Sequence, residues 1–135
     1  MYFDAVRKSG FFGDDVRLTY DEVPSSSSQS PNLSGTNISD MDLRSGIFTA
    51  PKAGVYYFSF HGTKRKGMMC ILCLMHNGGI VAHASDNYRD GEGVVSLSKL
   101  LTLSRGDTVE VSVSGGWQVN YNNDIHFQGF QIIQH

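Results

Sequence analysis

The strongest strand pattern lies in residues 46–60, where apolar and aromatic residues dominate. A short apolar run there ends in a Pro-Lys-Ala-Gly turn, where Pro51 cannot donate a ladder hydrogen bond and Gly54 supplies the backbone freedom of a tight turn. Residues 55–60 are mainly β-branched or aromatic, and successive side chains of a strand point to opposite faces. Both faces of this run are largely apolar, which predicts a strand that is covered on both sides.

Similar patterns predict further strands along the whole chain. Residues 108–114 alternate cleanly, with valines on one face and polar side chains on the other. Residues 68–75 are continuously apolar, which fits a buried strand or a helix, and the His-Asn-Gly-Gly turn that follows favours a strand and a hairpin. The other predicted strands are residues 2–7, 15–23, 47–48, 79–84, 94–103 and 125–133.

Three polar segments separate these strands. Residues 24–42 are rich in serine and predict a long mobile loop, with N-glycosylation sequons at Asn32 and Asn37, although such sequons also arise by chance in a Ser/Asn-rich segment. Residues 62–67 predict a solvated basic hairpin tip, and residues 115–123 predict a second irregular loop.

Several segments resemble the complement C1q-like globular domain, a jelly roll of the wider tumour-necrosis-factor superfamily. The similar segments are Gly-Ile-Phe-Thr-Ala-Pro with Gly-Val-Tyr-Tyr-Phe-Ser-Phe (46–60), Asn-Gly (77–78), Gly-Asp (106–107) and Phe-Gln-Gly-Phe (127–130). The resemblance implies an all-β fold, a ten-stranded antiparallel jelly-roll β-sandwich of two packed sheets. We expect residues 1–135 to form one globular head domain, with the loop at 24–42 as the main departure from the family.

Length and composition narrow the function. The chain has 135 residues, enough for one domain, and its net charge of −2 gives no argument for nucleic-acid binding. No apolar run is long enough for a transmembrane helix, so we expect no membrane insertion. Residues 1–4 do not resemble a signal peptide, and strand-like sequence begins at once, so we expect a domain from a longer protein.

Two short motifs have structural explanations. Cys70 and Cys73 spell Cys-x-x-Cys, but on a strand their Cα atoms would lie about 10 Å apart, which predicts two buried free thiols. Residues 105–107 spell Arg-Gly-Asp, the integrin-binding tripeptide, but they coincide with a turn that the resembled fold requires.

The sharpest candidate site is the acidic connection after residue 84. Asp86, Asp90 and Glu92 repel one another unless they are paired, and calcium takes six to eight oxygen ligands at flexible angles. Several C1q-like domains carry acidic residues in this connection and bind calcium there near the apex of a trimer. The resemblance therefore implies calcium as a cofactor. The residues alone would indicate an ordinary solvated turn.

No enzymatic motif is present. The five histidines are scattered, without a His-Glu-x-x-His pair, and the sequence has no Gly-x-Ser-x-Gly elbow or glycine-rich phosphate loop. We therefore expect a non-catalytic protein, with a hydrolase as a distant alternative.

The resemblance also implies a homotrimer with a hydrophobic axis. Tyr57, Phe127 and Phe130 belong to the two most apolar segments and are the expected interface residues. Such a trimer would be a secreted head that binds a protein receptor, a glycan or a microbial surface through several copies of its loops, in innate immunity or extracellular signalling. The alternatives are a tumour-necrosis-factor-like cytokine and the calcium-binding C-terminal domain of an intracellular caprin-like protein.

Overall fold

Ten antiparallel β-strands run through the part of the chain that the computed structural model describes, residues 2–21, 40–86, 93–118 and 125–134. The strands are β1 (Tyr2–Arg7), β2 (Phe11–Arg17), β3 (Met41–Asp42), β4 (Ile47–Thr49), β5 (Gly54–Lys64), β6 (Cys70–His76), β7 (Gly79–Asp86), β8 (Gly93–Leu103), β9 (Thr108–Gln118) and β10 (Ile125–Gln134). Within those ranges no helix is long and apolar enough to cross a bilayer.

The strands form two layers. In the first sheet β1 pairs with β10, β10 with β5, and β5 with β8. In the second sheet β9 is central, with β6 and β7 on one side and β2, β4 and β3 on the other. The last two residues of β5, Thr63 and Lys64, pair with Gln118 and Trp117 of β9, so this long strand connects the two layers.

The core lies between the layers because alternate side chains of each strand point inward. Phe58 of β5 and Phe127 of β10 face Leu72 and Val111 of the second sheet, and all four are almost fully buried. The rings of Phe58 and Phe127 stack at 5.9 Å. The jelly-roll β-sandwich that the sequence predicts is therefore confirmed.

The second strand begins earlier than predicted. The strand expected over residues 15–23 is Phe11–Arg17, with a bulge between Gly13 and Val16 at which Asp15 has a φ of 49°. Leu18 and Tyr20 are buried as expected, but Val16 is 39% exposed. Val16 differs from Leu18 and Tyr20 because β2 ends at Arg17, so the two later residues no longer follow the alternation of the strand. Their amides donate to the carbonyl oxygens of Val111 and Leu43.

The segment that starts at Gly115 is not an irregular loop at its beginning. Residues 115–118 continue β9, and the Trp117 side chain is 1% exposed. Its indole N–H donates to the carbonyl oxygen of Ser114 at 3.1 Å, and its ring packs edge-on against Phe60. Glycine pairs rarely persist in strands, but here Gly116 lies close to the side chains of neighbouring residues, which leaves little room for a Cβ.

Candidate functional site

The outer face of the first sheet combines apolar and polar side chains. On β5 the inward residues are almost fully buried, whereas Tyr57, Ser59 and His61 point outward and are partly exposed. Strand register places Phe130 of β10 and Leu100 of β8 on either side of Tyr57. The face is therefore apolar around Tyr57 and becomes polar towards His61.

We call Tyr57, Leu100 and Phe130 the apolar patch. Leu100 is 57% exposed and Phe130 is 44% exposed, while the rings of Tyr57 and Phe130 lie 5.3 Å apart. Three adjacent large apolar side chains on three neighbouring strands form a continuous surface, in contrast to the isolated apolar residues common on protein surfaces. Such a surface is suited to burial against another protein.

One expected interface residue lies elsewhere. Phe127 is fully buried in the core of the single chain and contacts Phe3, Tyr20 and Phe58. It cannot contact a second subunit, so its assignment to the interface is wrong. The physical reason is strand geometry, because residues three apart on a strand point to opposite faces.

Two shallow grooves flank the outward side chains of β5. One, of about 260 Å³, lies between Tyr57 and the facing residues of β1 and β10. The other, of about 320 Å³, runs from Tyr57 to His61 along the serines of β8. The outer face is therefore uneven, and the surface of another protein can fit into these open grooves.

Two histidines stack at the polar end of this face. His61 and His126 occupy directly opposite register positions, and their ring centroids are 4.8 Å apart with an interplanar angle of 20°. His126 Nδ1 is hydrogen-bonded to Asp4 Oδ1 at 3.0 Å. Burial, followed by the neighbouring His126 ring, lowers the pKa of His61, and Asp4 raises it by less. We call His61 and His126 the histidine pair.

The acidic connection lies only partly within the described residues. Asp86 is the last residue of β7, while Asp90 and Glu92 lie outside the described ranges, as do the sequons at Asn32 and Asn37. A Cβ on Gly93 would lie 2.8 Å from Oδ2 of Asp86 and 3.6 Å from Cε of Lys64, so these two side chains approach the same point. The described residues alone contain no cluster of three metal-ligating side chains.

The basic segment is not a solvated hairpin tip throughout. Lys64 is the last residue of β5 and is 1% exposed, whereas Arg65 and Lys66 are exposed as expected. The prediction for Lys64 is wrong because the strand extends four residues beyond Phe60 and carries the lysine between the two layers. A buried ammonium group requires polar partners, so Lys64 is a structural residue of the sandwich.

Both cysteines are free thiols, as predicted, but the prediction that both are buried holds only for Cys70. Cys70 is fully buried, and its thiol donates to the carbonyl oxygen of Gly116 at 2.9 Å. Cys73 points to the other face of β6 and is only partly buried. Burial raises the pKa of both thiols, which disfavours the reactive thiolate.

The Arg-Gly-Asp tripeptide forms the turn between β8 and β9. The carboxylate of Asp107 accepts hydrogen bonds from the Ser104 amide and the Asn77 side chain, and its Oδ2 lies 3.0 Å from His76 Nε2. These partners hold the pKa of Asp107 at about 2, below its usual 3.8. The carboxylate therefore closes the turn and connects it to the β6–β7 hairpin, which supports the structural explanation of the motif.

The fold and this face define an all-β jelly-roll domain with a surface suited to protein contact. Residues 32–132 match the model of the C1q domain family. The chain is 35% identical over 97 residues to human complement C1q and tumor necrosis factor-related protein 9A, covering 68% of this chain and 29% of that protein. It is 33% identical over 97 residues to mouse complement C1q and tumor necrosis factor-related protein 9, covering 68% of this chain and 29% of that protein.

A solved structure agrees with these relatives. The globular domain of zebrafish complement 1qA protein superposes with a TM-score of 0.70 at 24% identity, covering 99% of this chain and 98% of that chain, which supports the fold alone. The family match and the curated relatives show that this chain belongs to the C1q domain family. Members of this family are non-enzymatic recognition proteins. The chain spans less than a third of the length of the first curated relative.

Proposed function

We propose that this chain is the trimeric recognition head of an extracellular protein, binding a protein receptor, a glycan or a microbial surface. The observation that carries the proposal is the apolar patch on the outer face of the first sheet. Leu100 at 57% exposure and Phe130 at 44% would be costly to leave in water, and other copies of the same chain are the partners that membership of the C1q domain family favours.

Three-fold assembly would explain how weak contacts give useful affinity. A trimer presents three copies of every connection, so that binding of one copy raises the effective concentration of the other two. Avidity of this kind typically raises the overall affinity by a factor on the order of 10²–10⁴ without any new contact. The mechanism needs no reacting group, only a rigid sandwich that holds its loops apart.

The trimer is tested by placing a charge in the apolar patch. We expect the unmodified chain to have three times the chain mass of 14.9 kDa, and Leu100→Glu to have the mass of one chain, because an unpaired carboxylate buried at an interface costs several kcal/mol, on the order of 3–5. Light scattering coupled to gel filtration measures both masses.

The matched control is Ile80→Glu, on β7 of the second sheet. Ile80 is 63% exposed and lies away from the apolar patch, so this variant should remain trimeric. A monomeric unmodified chain would refute the proposed assembly. If both variants were equally monomeric, the patch would not be the contact surface.

We further propose that the acidic connection binds calcium. Asp86 ends β7 at the start of the connection, and the sequence places Asp90 and Glu92 within the next six residues. Carboxylates of this density suit calcium, which accepts irregular oxygen coordination. Bound calcium would supply charge neutralisation, and Asp86, Asp90 and Glu92 are the residues that would hold it.

Calcium binding is tested by thermal unfolding with and without the metal. Calcium at about one hundred times its dissociation constant should stabilise the fold by about 2.7 kcal/mol, and Asp86→Ala should abolish this gain. Asp14→Asn, an exposed carboxylate on β2, is the control that should keep it. Equal melting temperatures in calcium and in chelator would refute the metal and leave the trimer proposal intact.

A further inference from the structure

The histidine pair lies on the same outer face as the apolar patch and continues it. Tyr57, Ser59 and His61 follow one another along the outward side of β5, and the larger groove extends from Tyr57 to His61. A second copy packed over Tyr57 and its neighbours would therefore also approach the two rings. This inference rests on the trimer proposed above.

Few charges face the pair. Asp4 of β1 contacts His126, while β8 contributes Ser96 opposite His61 and Ser98 beside it. Within the described ranges, the titratable groups that act on His61 are His126 and Asp4. The Asp4 carboxylate therefore interacts with both imidazoles, through a hydrogen bond to His126 and through its charge on His61.

The two imidazoles have different partners. Asp4 is hydrogen-bonded to His126 and not to His61. A charge on His61 would lie beside a second imidazole, with 4.8 Å between the ring centroids, and it would have no hydrogen-bonded carboxylate among the described residues. Neutral rings pack well against each other, and doubly charged rings repel.

We propose that the histidine pair makes assembly reversible with pH, so that the trimer separates into folded single chains on mild acidification. Subunit contact would remove water from His61 and add to the cost of its charge, so the trimer would bind fewer protons than the separate chains. The dissociation constant then rises as the pH falls through the pKa of His61 in the separate chain, which burial and His126 hold below the usual histidine value of about 6.5.

The size of the effect follows from linkage. If assembly lowers the histidine pKa by about one unit, each chain contributes about a tenfold weakening at low pH, and three chains contribute about a thousandfold in the trimer dissociation constant. Asp107 does not promote unfolding in this range, because its lowered pKa means that its contribution to stability is lost only as the pH falls from 3.8 towards 2. The lowered pKa of His61 in the folded chain does favour unfolding as the pH falls, so the fold has to be verified at each pH.

The test is sedimentation of the 135-residue chain at pH 7.5, 6.0 and 5.0, at one protein concentration and ionic strength, with circular dichroism to verify the fold. We expect trimers at pH 7.5 and mostly single folded chains at pH 5.0. His61→Phe, which keeps a flat ring without the charge, should remain trimeric at pH 5.0. His61→Gln tests the same point with a smaller neutral side chain.

The control is His83→Gln, an exposed histidine on β7 of the second sheet, which should dissociate like the unmodified chain. A trimer that persists unchanged at pH 5.0 would overturn the switch and leave the proposed assembly standing. Dissociation at the same pH in His61→Phe or His61→Gln would also overturn it. A chain that is monomeric at pH 7.5 would instead refute the assembly itself.

Discussion

Replacing Phe58 with alanine is expected to lower the free energy of unfolding by about 3–5 kcal/mol. Phe58 is 1% exposed, and its ring centroid lies between 5.5 and 6.4 Å from those of four other aromatic rings, so truncation removes buried area and leaves a cavity among groups that cannot collapse freely. Chemical denaturation at one fixed protein concentration measures the change, which is a large part of the roughly 5–15 kcal/mol typical of a domain.

Ile80→Ala is the control for this core substitution. Ile80 is 63% exposed at the β6–β7 hairpin, so its truncation should change the free energy of unfolding by less than about 0.5 kcal/mol. A loss below about 1 kcal/mol for Phe58→Ala would contradict the packing described here, because it would mean that the aromatic cluster does not depend on its central ring.

A second large loss of stability is expected from Gly115→Ala. Gly115 has a φ of 100°, and a Cβ at this position would overlap the carbonyl oxygen of Met69 and lie 3.0 Å from Cα of Cys70. Both are backbone atoms, so the start of β6 would have to move away from β9. We expect a loss of more than about 3 kcal/mol, the sum of backbone strain and displaced strand pairing.

Gly106→Ala separates the two causes of that loss. Gly106 also has a positive φ, 91°, but no described atom lies within 4 Å of its Cβ position. This variant therefore loses stability through backbone strain alone, about 1–2 kcal/mol. Equal losses in the two variants, measured by the same denaturation experiment, would show that the close approach of β9 to β6 is unimportant.

The sequence predicts the architecture well because most strands alternate without interruption. The valines of β9 and the β5 residues Tyr56, Phe58 and Phe60 point inward as their spacing requires. The Asn-Gly pair forms the β6–β7 hairpin with positive φ at both Asn77 and Gly78. Local patterns suffice in these places, because each side chain's environment follows from its parity in the strand.

The misplaced residues depend on contacts between distant segments. Lys64 is charged and yet buried, because β5 continues far enough to pair with β9 at Trp117. No pattern in the local sequence predicts that β5 is as long as this. Phe127 differs, because its odd separation from Phe130 already places the two rings on opposite faces of β10.

The candidate site could be predicted only in part for the same reason. Tyr57 and Phe130 are far apart in sequence, and their ring contact depends on the register of β5 with β10. Leu100 joins them through the register of β5 with β8. The histidine pair follows from the first of these registers, and no spacing along the chain indicates it.

The pairing of β1 with β10 also determines how the domain responds to force. Tyr2 lies opposite Phe130 and Arg7 opposite Ile125, so the beginning of β1 and the end of β10 lie at the same end of the first sheet. Tension applied across these two points would break the β1–β10 hydrogen bonds one after another (the unzipping geometry). It would not load them all at once, as in the shear geometry.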